Sequence, residues 1–71
     1  MESERSARLV FAENIRKHRQ ARDIAQEKMA LLAGLDRAYY GRVERGRMNI
    51  TIDNMEKIAR ALGVPLGELL R

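Results

Sequence analysis

The segment 26–45 constrains the fold of this 71-residue chain more than any other stretch. Counting Gln26 as its first position, a small residue, Ala30, stands fifth and a glycine, Gly34, stands ninth. A small residue lets two helices cross closely, and glycine adopts the positive φ that a tight turn requires. Apolar residues stand tenth and eighteenth, Leu35 and Val43. These mutually consistent steric requirements predict a helix-turn-helix, in which a very short turn joins two helices.

Outside this segment the apolar residues also recur at helical spacing, and no stretch alternates as a strand does. We expect five helices, over about 6–22, 26–33, 36–44 and 51–62 and in a short stretch after Pro65, which fits a first helical turn. The side chains expected to cap helix N-termini are Ser6, Asp36 and Thr51. The glycines expected to end helices in the left-handed conformation are Gly34 and Gly63.

The sequence predicts a single all-α domain over 1–71, a compact five-helix bundle. Within it, 1–5 is expected to be a disordered arm, and 51–71 is expected to form core and dimerisation helices. A chain this short buries only roughly 60% of its unfolded surface. Since it has no cysteine, neither a disulfide nor a thiolate metal site can add stability. Oligomerisation is therefore expected.

The charge distribution favours a polyanionic partner. The chain carries a net charge of +4, and the basic excess lies in 1–22 and 36–47. A solvated charged face is the simplest interpretation of either cluster taken alone. The second cluster coincides with the second helix of the predicted helix-turn-helix, and this coincidence favours DNA binding.

Several other classes of protein are excluded. The apolar stretches are too short to span a membrane, and the charged N-terminus lacks a signal-peptide core, so we expect a cytoplasmic protein, of a prokaryotic cytoplasm or nucleoid or encoded by a phage. No paired carboxylates, nucleophile with a base, glycine-rich phosphate loop or metal cluster is present in the sequence. We therefore expect no enzyme activity, cofactor, metal site or small-molecule ligand.

Motifs distributed over nearly the whole chain are Asn14-Ile15-Arg16, Gln26-Glu27-Lys28-Met29-Ala30, Gly34-Leu35-Asp36-Arg37, Val43-Glu44-Arg45-Gly46 and Met55-Glu56-Lys57-Ile58-Ala59-Arg60-Ala61-Leu62-Gly63-Val64. This set resembles the XRE-type, or lambda Cro/CI-type, helix-turn-helix regulators. A narrower set consists of Leu35-Asp36-Arg37-Ala38-Tyr39-Tyr40, Val43-Glu44-Arg45 and Asn49-Ile50-Thr51. It resembles the controller proteins of restriction-modification systems.

The resemblance implies a lambda repressor-like DNA-binding domain and several residue roles. It implies that Gln26 contacts a backbone phosphate and braces the recognition helix. It also implies that Glu44 pairs with Arg19 in a partly buried bridge. The chain departs from the family at Ala25, where a serine or threonine usually caps the second helix, and at Tyr40, where isoleucine or valine is usual. We expect the Tyr40 hydroxyl to reach solvent, a protein partner or a phosphate.

If the third helix lies in the major groove, its outward residues read the DNA. Arg37, in the first helical turn, matches the guanine O6 and N7 acceptors with its planar fork, and Arg42 follows as a second reader. Ala38 is small enough to allow close approach and to touch a thymine methyl group. The residues expected to continue the contacts to backbone phosphates are Tyr39, Arg45, Arg47 and Asn49.

One recognition helix contacts too few base pairs for useful specificity, so we expect a homodimer on a pseudo-palindromic operator. Its half-sites should be spaced by roughly 10 bp. The expected dimer interface is the apolar cluster of Leu66, Leu69 and Leu70, to which any residues beyond Arg71 would add. The sequence therefore predicts a transcriptional regulator that binds double-stranded DNA. The alternative is an antitoxin, or a DNA-binding fragment of a larger regulator, whose main partner is another protein.

Overall fold

The computed structural model describes residues 6–71, and this part of the chain contains helices and no strands. The α-helices are α1 (Ala7–Ala21), α2 (Gln26–Ala33), α3 (Arg37–Glu44) and α4 (Ile52–Leu62). A short 3₁₀ helix (Leu66–Leu70) follows them. The all-α class is confirmed. The disordered arm predicted for 1–5 lies outside the described residues.

The short fifth helix predicted after Pro65 is a 3₁₀ helix of five residues and not an α-helix, so the five-helix bundle is confirmed only in part. The Glu68 amide donates to the Pro65 carbonyl at 3.0 Å, the three-residue step of a 3₁₀ turn. The Asn14 side chain on α1 donates to the carbonyl oxygens of Leu69 and Arg71, each at 3.0 Å. These two bonds satisfy C-terminal carbonyls and fix the turn against α1.

Helix ends follow the predicted capping residues. The side chains of Ser6, Asp36 and Thr51 each accept a hydrogen bond from a backbone amide in the first turn of the helix that follows. Gly34 and Gly63 end α2 and α4 in the left-handed conformation, with φ of 70° and 76°. The N-terminus of α2 has no side-chain cap, as its Ala25 predicts. Local chemistry therefore sets most of the helix boundaries.

The core lies between α1, α2, α3 and α4 and is closed at one end by the 3₁₀ helix, which packs against α1 and α4. Its largest apolar members are Phe11, Ile15, Met29, Tyr40, Ile58 and Leu69. None of the helices over 6–71 has the length and hydropathy of a membrane span. The short α2 and α3 are held by contacts with each other and with the longer helices around them.

The placement of Leu69 corrects its predicted role in a dimer interface. Its side chain is 0% exposed within one chain, so a second chain cannot contact it in this conformation. The 3₁₀ turn directs Leu69 into the core, whereas Leu66 is half-buried and Leu70 is 40% exposed. Of the predicted apolar cluster, Leu66 and Leu70 remain accessible.

Candidate nucleic-acid interface

A buried carboxylate anchors the inner face of α3. The Glu44 side chain is 2% exposed and receives the Arg19 guanidinium in a bidentate pair, Nε to Oε2 at 2.7 Å and Nη2 to Oε1 at 2.9 Å. The Gln26 amide nitrogen donates to Oε1 at 2.8 Å, and the Tyr40 hydroxyl donates to Oε2 at 2.7 Å. Each carboxylate oxygen therefore accepts from two donors, and the four side chains link α1, α2 and α3. We call Arg19, Gln26, Tyr40 and Glu44 the buried network.

The charges in the buried network stabilise one another. Burial raises the pKa of Glu44, but hydrogen bonds from Arg19, Gln26 and Tyr40 outweigh it and hold that pKa below its ordinary value of 4.5. The hydrogen bond to Glu44 raises the pKa of Arg19. Burial, followed by the bond to Glu44, raises the pKa of Tyr40 well above its ordinary value. At neutral pH Glu44 is therefore a carboxylate, and Tyr40 keeps the proton that it donates.

The Tyr40 hydroxyl was predicted to reach solvent, a protein partner or a phosphate, and the structure gives it a different partner. The hydroxyl is buried and donates to Glu44, four residues further along α3. Residues at this spacing lie on the same side of a helix, and here that side faces the core. The resemblance implied a bridge between Arg19 and Glu44, and these two residues form the ion pair described above. Tyr40 adds a donor to this pair that an isoleucine or valine would not supply.

The outer face of α3 presents three exposed side chains, Arg37, Ala38 and Arg42. Together with three further residues they line a shallow groove, which we call the α3 groove; these are Gln26, Gly41 and Arg45. Arg37 is 73% exposed and lies 3.5 Å from the Glu27 carboxylate on α2, an exposed pair of little energetic weight. The groove thus brings the predicted base readers into the same depression as two of the predicted phosphate contacts.

The remaining predicted phosphate contacts do not line this groove and lie on α3 and the loop after it. Tyr39 is half-buried, and its hydroxyl accepts a hydrogen bond from the Asn54 amide nitrogen at 3.2 Å. Arg47 and Asn49 are exposed on the loop that follows α3. The Asn49 side-chain oxygen Oδ1 accepts from the Arg8 guanidinium of α1 at 3.4 Å. The N-terminal end of α1 therefore lies beside this loop.

Gly46 explains how the loop comes so close to α1. It has a φ of 74°, and a Cβ atom at this position would lie 2.5 Å from the Leu9 side chain. Only glycine adopts this conformation readily without such an overlap. The proximity of Arg8 to the loop was not predicted from the sequence, although Arg8 contributes to the basic excess of 1–22. The spacing of residues along the sequence gives no information on how close α1 lies to the loop after α3.

An apolar surface on α2 was not given a role from the sequence either. Leu31 is 71% exposed, and it borders a depression that also includes Leu35 and Arg37. Met29, Ala30 and Ala33 are buried on the inner side of α2, and Leu31 lies on the opposite side. No group of three histidine, cysteine or acidic residues within 6–71 could hold a metal ion.

Comparison with known proteins places this geometry in a family. The helix-turn-helix family HTH_3 matches residues 15–69. A hypothetical transcription factor of Neisseria meningitidis is 46% identical over 94% of this chain and 63% of its own length. Control protein C.BamHI of Bacillus amyloliquefaciens is 42% identical over 89% of this chain and 79% of its own length.

A solved structure points to the same family as these two relatives. The crystal structure of the restriction-modification controller protein C.AhdI from Aeromonas hydrophila is similar to this chain with a TM-score of 0.84 and 42% identity. The similarity covers 87% of this chain and 94% of C.AhdI. The chain spans less than two thirds of the Neisseria relative but most of the two controller proteins. It belongs to the HTH_3 family of helix-turn-helix transcriptional regulators and is a homologue of restriction-modification controller proteins.

Proposed function

We propose that this regulator binds double-stranded DNA sequence-specifically as a homodimer, with α3 in the major groove. The observation that carries the proposal is the contrast between the two faces of α3. The inner face is fixed by the buried network, whereas the outer face leaves Arg37 and Arg42 exposed beside Ala38. A rigid helix with exposed arginines on one face suits recognition of base edges, because the scaffold sets the register and the arginines donate to guanine.

Base contacts are assigned to the outer face. Arg37 lies in the first turn of α3 and reads guanine, Arg42 reads a second position further along the helix, and Ala38 allows the helix to approach. Arg37 leaves its exposed partner Glu27 at little cost, because such pairs contribute at most about 1 kcal/mol.

Phosphate contacts frame the recognition helix. Gln26 and Arg45 lie at one side of the α3 groove, and Tyr39, Arg47 and Asn49 lie on α3 and the loop after it. Their donors hold the helix against the DNA backbone and set its register without reading sequence. Most of the affinity for random DNA comes from these contacts, and it weakens as salt concentration rises.

The dimer surface is assigned to Leu66 and Leu70, because Leu69 belongs to the core. Leu66 borders a depression that α4 and the following turn form with Ala59, Val64 and Pro65. A second copy of the chain packed against this surface by two-fold symmetry would present two recognition helices to a pseudo-palindromic operator. Half-sites about 10 bp apart fit such a dimer.

The homology with controller proteins supports a role in regulating restriction-modification genes. In that role, occupancy of one operator activates or represses a promoter according to where the operator lies. A neighbouring endonuclease or methyltransferase gene would support this role. A neighbouring toxin gene would instead support the antitoxin alternative, in which the main partner is another protein.

Selection of bound DNA from a random pool tests the proposed DNA binding. We expect enrichment of a sequence with two related half-sites in inverted orientation. Recovery of unenriched DNA would contradict sequence-specific binding, and a single half-site would contradict the dimer.

Sedimentation of the free protein tests the dimer surface separately. Leu66→Glu should shift the mass towards that of a monomer, whereas the matched variant Leu31→Glu changes an exposed leucine of α2 and should leave it unaltered. A Leu66→Glu variant with the wild-type mass would rule out this interface.

A further inference from the structure

Gly41 is buried although it lies in the α3 groove on the outer face of α3. A Cβ atom built at this position would lie 3.4 Å from Arg45 Nη1 and 3.7 Å from Gln26 Oε1. The two side chains therefore cover the glycine. They meet in the space that a larger side chain at position 41 would occupy. A glycine inside a helix costs about 1 kcal/mol relative to alanine, so this position calls for a compensating role.

The orientation of the Gln26 amide follows from the buried network. Glu44 is ionised and can only accept hydrogen bonds, so the amide nitrogen of Gln26 must face it. The Gln26 carbonyl oxygen then points towards Gly41 and the Arg45 guanidinium. One hydrogen of the amide nitrogen binds Glu44, and the second remains available to a ligand.

The Arg45 side chain reaches the same place from the other end of α3. Arg45 is the C-cap residue, and its amide donates to the Gly41 carbonyl one turn earlier. Helical side chains lean towards the N-terminus, and the Arg45 guanidinium accordingly lies over Gly41. A donor-rich cation thus lies beside an amide whose orientation is fixed.

We propose that Gly41 is a positioning residue, whose missing side chain seats the Arg45 guanidinium beside Gln26 so that the two hold one DNA backbone phosphate together. This inference rests on the proposed DNA binding and deepens it. The ligand is a phosphodiester oxygen, because the Arg45 guanidinium supplies a positive charge and several donors, and the second N–H of the Gln26 amide supplies a further donor. The contact carries no sequence information.

A simpler interpretation of the glycine is that DNA itself approaches the helix backbone at this point. The geometry favours the protein as the occupant, because the Arg45 guanidinium already lies 3.4 Å from where a side chain would begin. The two interpretations differ in whether a side chain at position 41 matters after Arg45 is removed.

Two variants with side chains of increasing size at position 41 test whether the glycine positions Arg45. In Gly41→Ala the new Cβ makes an ordinary contact with Arg45, and we expect the affinity for DNA to fall by about twofold or less. In Gly41→Leu the side chain takes the place of the guanidinium, and we expect a loss of roughly tenfold, similar to that of Arg45→Ala. Both alanine and leucine favour helices more than glycine does, so neither variant should lower the midpoint of thermal unfolding.

The affinities are measured on the selected operator and on random DNA over a range of salt concentrations. We expect Gly41→Leu and Arg45→Ala to weaken binding to both DNAs by the same factor and to reduce the salt slope by about 0.9, the value for one phosphate. In the Arg45→Ala background, Gly41→Leu should cause no further loss, because the leucine fills the vacated space.

Two results would overturn the proposal. A further loss for Gly41→Leu in the Arg45→Ala background would mean that DNA meets position 41 directly. A changed preference at one base pair would mean that Arg45 reads sequence. Failure of the wild-type chain to bind any DNA would instead refute the proposed function, and it is recognised before any variant is compared.

Discussion

The two faces of α3 differ in how completely their polar groups are satisfied by the protein. On the inner face, the Glu44 carboxylate accepts from three side chains at 2.7 to 2.9 Å. On the outer face, Arg37 has one exposed contact at 3.5 Å. The same eight-residue helix thus has one side fixed by protein and one side with unused donors. The inner face fixes the position of the helix, and the outer face leaves donors available to a ligand.

This difference separates substitutions into two classes. A change in the buried network should alter the stability of the fold, and a change on the outer face should alter DNA binding at constant stability. Gln26 belongs to both regions, because its amide donates to Glu44 and also lines the α3 groove. Through it, the ionised state of Glu44 controls which atom of the Gln26 amide faces the α3 groove.

Removing the cation from the buried network is expected to have the largest effect. Arg19→Ala leaves the buried Glu44 carboxylate without its ion pair, and breaking such a pair costs about 3–5 kcal/mol of unfolding free energy. Urea denaturation measures this loss. Arg16→Ala, which removes an exposed arginine of the same helix, is the matched control and should have almost no effect. Equal stability for the two variants would show that the network does not hold α1 to α3.

Substitution of Arg37 tests the outer face in the same way. Arg37→Ala should lose roughly 1 to 3 kcal/mol of binding free energy on the selected operator and relax the preference at one base pair. Its unfolding free energy should not change, because the side chain is exposed. Arg47→Ala is the comparison variant and should weaken binding to all sequences alike. An equal loss on specific and random DNA for Arg37→Ala would contradict base reading.

The sequence predicted the features that depend on neighbours along the chain. The caps at Ser6, Asp36 and Thr51 and the ends at Gly34 and Gly63 follow from side-chain oxygens and from glycine, whose effects reach only one turn. The outward placement of Arg37 and Arg42 follows from the helical period once α3 is located. Such local rules require no tertiary contact.

Contacts between distant residues were harder to predict. Leu69 is buried because the 3₁₀ turn directs it inward, and Asn14 holds that turn from 55 residues away. The carboxylate that accepts from the Tyr40 hydroxyl also accepts from Arg19, which lies 25 residues earlier on α1. Gly41 is likewise buried by two side chains from elsewhere in the chain, those of Gln26 and Arg45. Helical periodicity identifies a face but not the partner that covers it.

Tyr40→Phe sharpens the comparison by removing one donor from the inner face alone. We expect a loss of about 1.5 kcal/mol at neutral pH, because a hydrogen bond to a charged group disappears. The pKa of Glu44 lies below 4.5 when folded, so the stability that its partners add is present above that pH and is lost as the pH falls further. The difference between variant and wild type should therefore shrink in acid.

Denaturation at several pH values measures this difference. Tyr39→Phe is the control, since its hydroxyl contacts Asn54 rather than the buried network. A Tyr40→Phe deficit that stays constant from neutral pH to well below pH 4.5 would mean that the hydroxyl acts without the Glu44 charge.

A new cap on α2 should give the smallest effect. Ala25 has the extended backbone of an N-cap but no side-chain oxygen, so Ala25→Thr should raise the unfolding free energy by about 1 kcal/mol. Ala25→Val has nearly the same shape without the hydroxyl and should give no such gain. Because Ala25 lies outside the α3 groove, base preference in DNA selection should be the same for both variants. A changed base preference in Ala25→Thr would show that stability and recognition are not carried by separate faces, since strengthening the scaffold alone would then have altered what Arg37 reads.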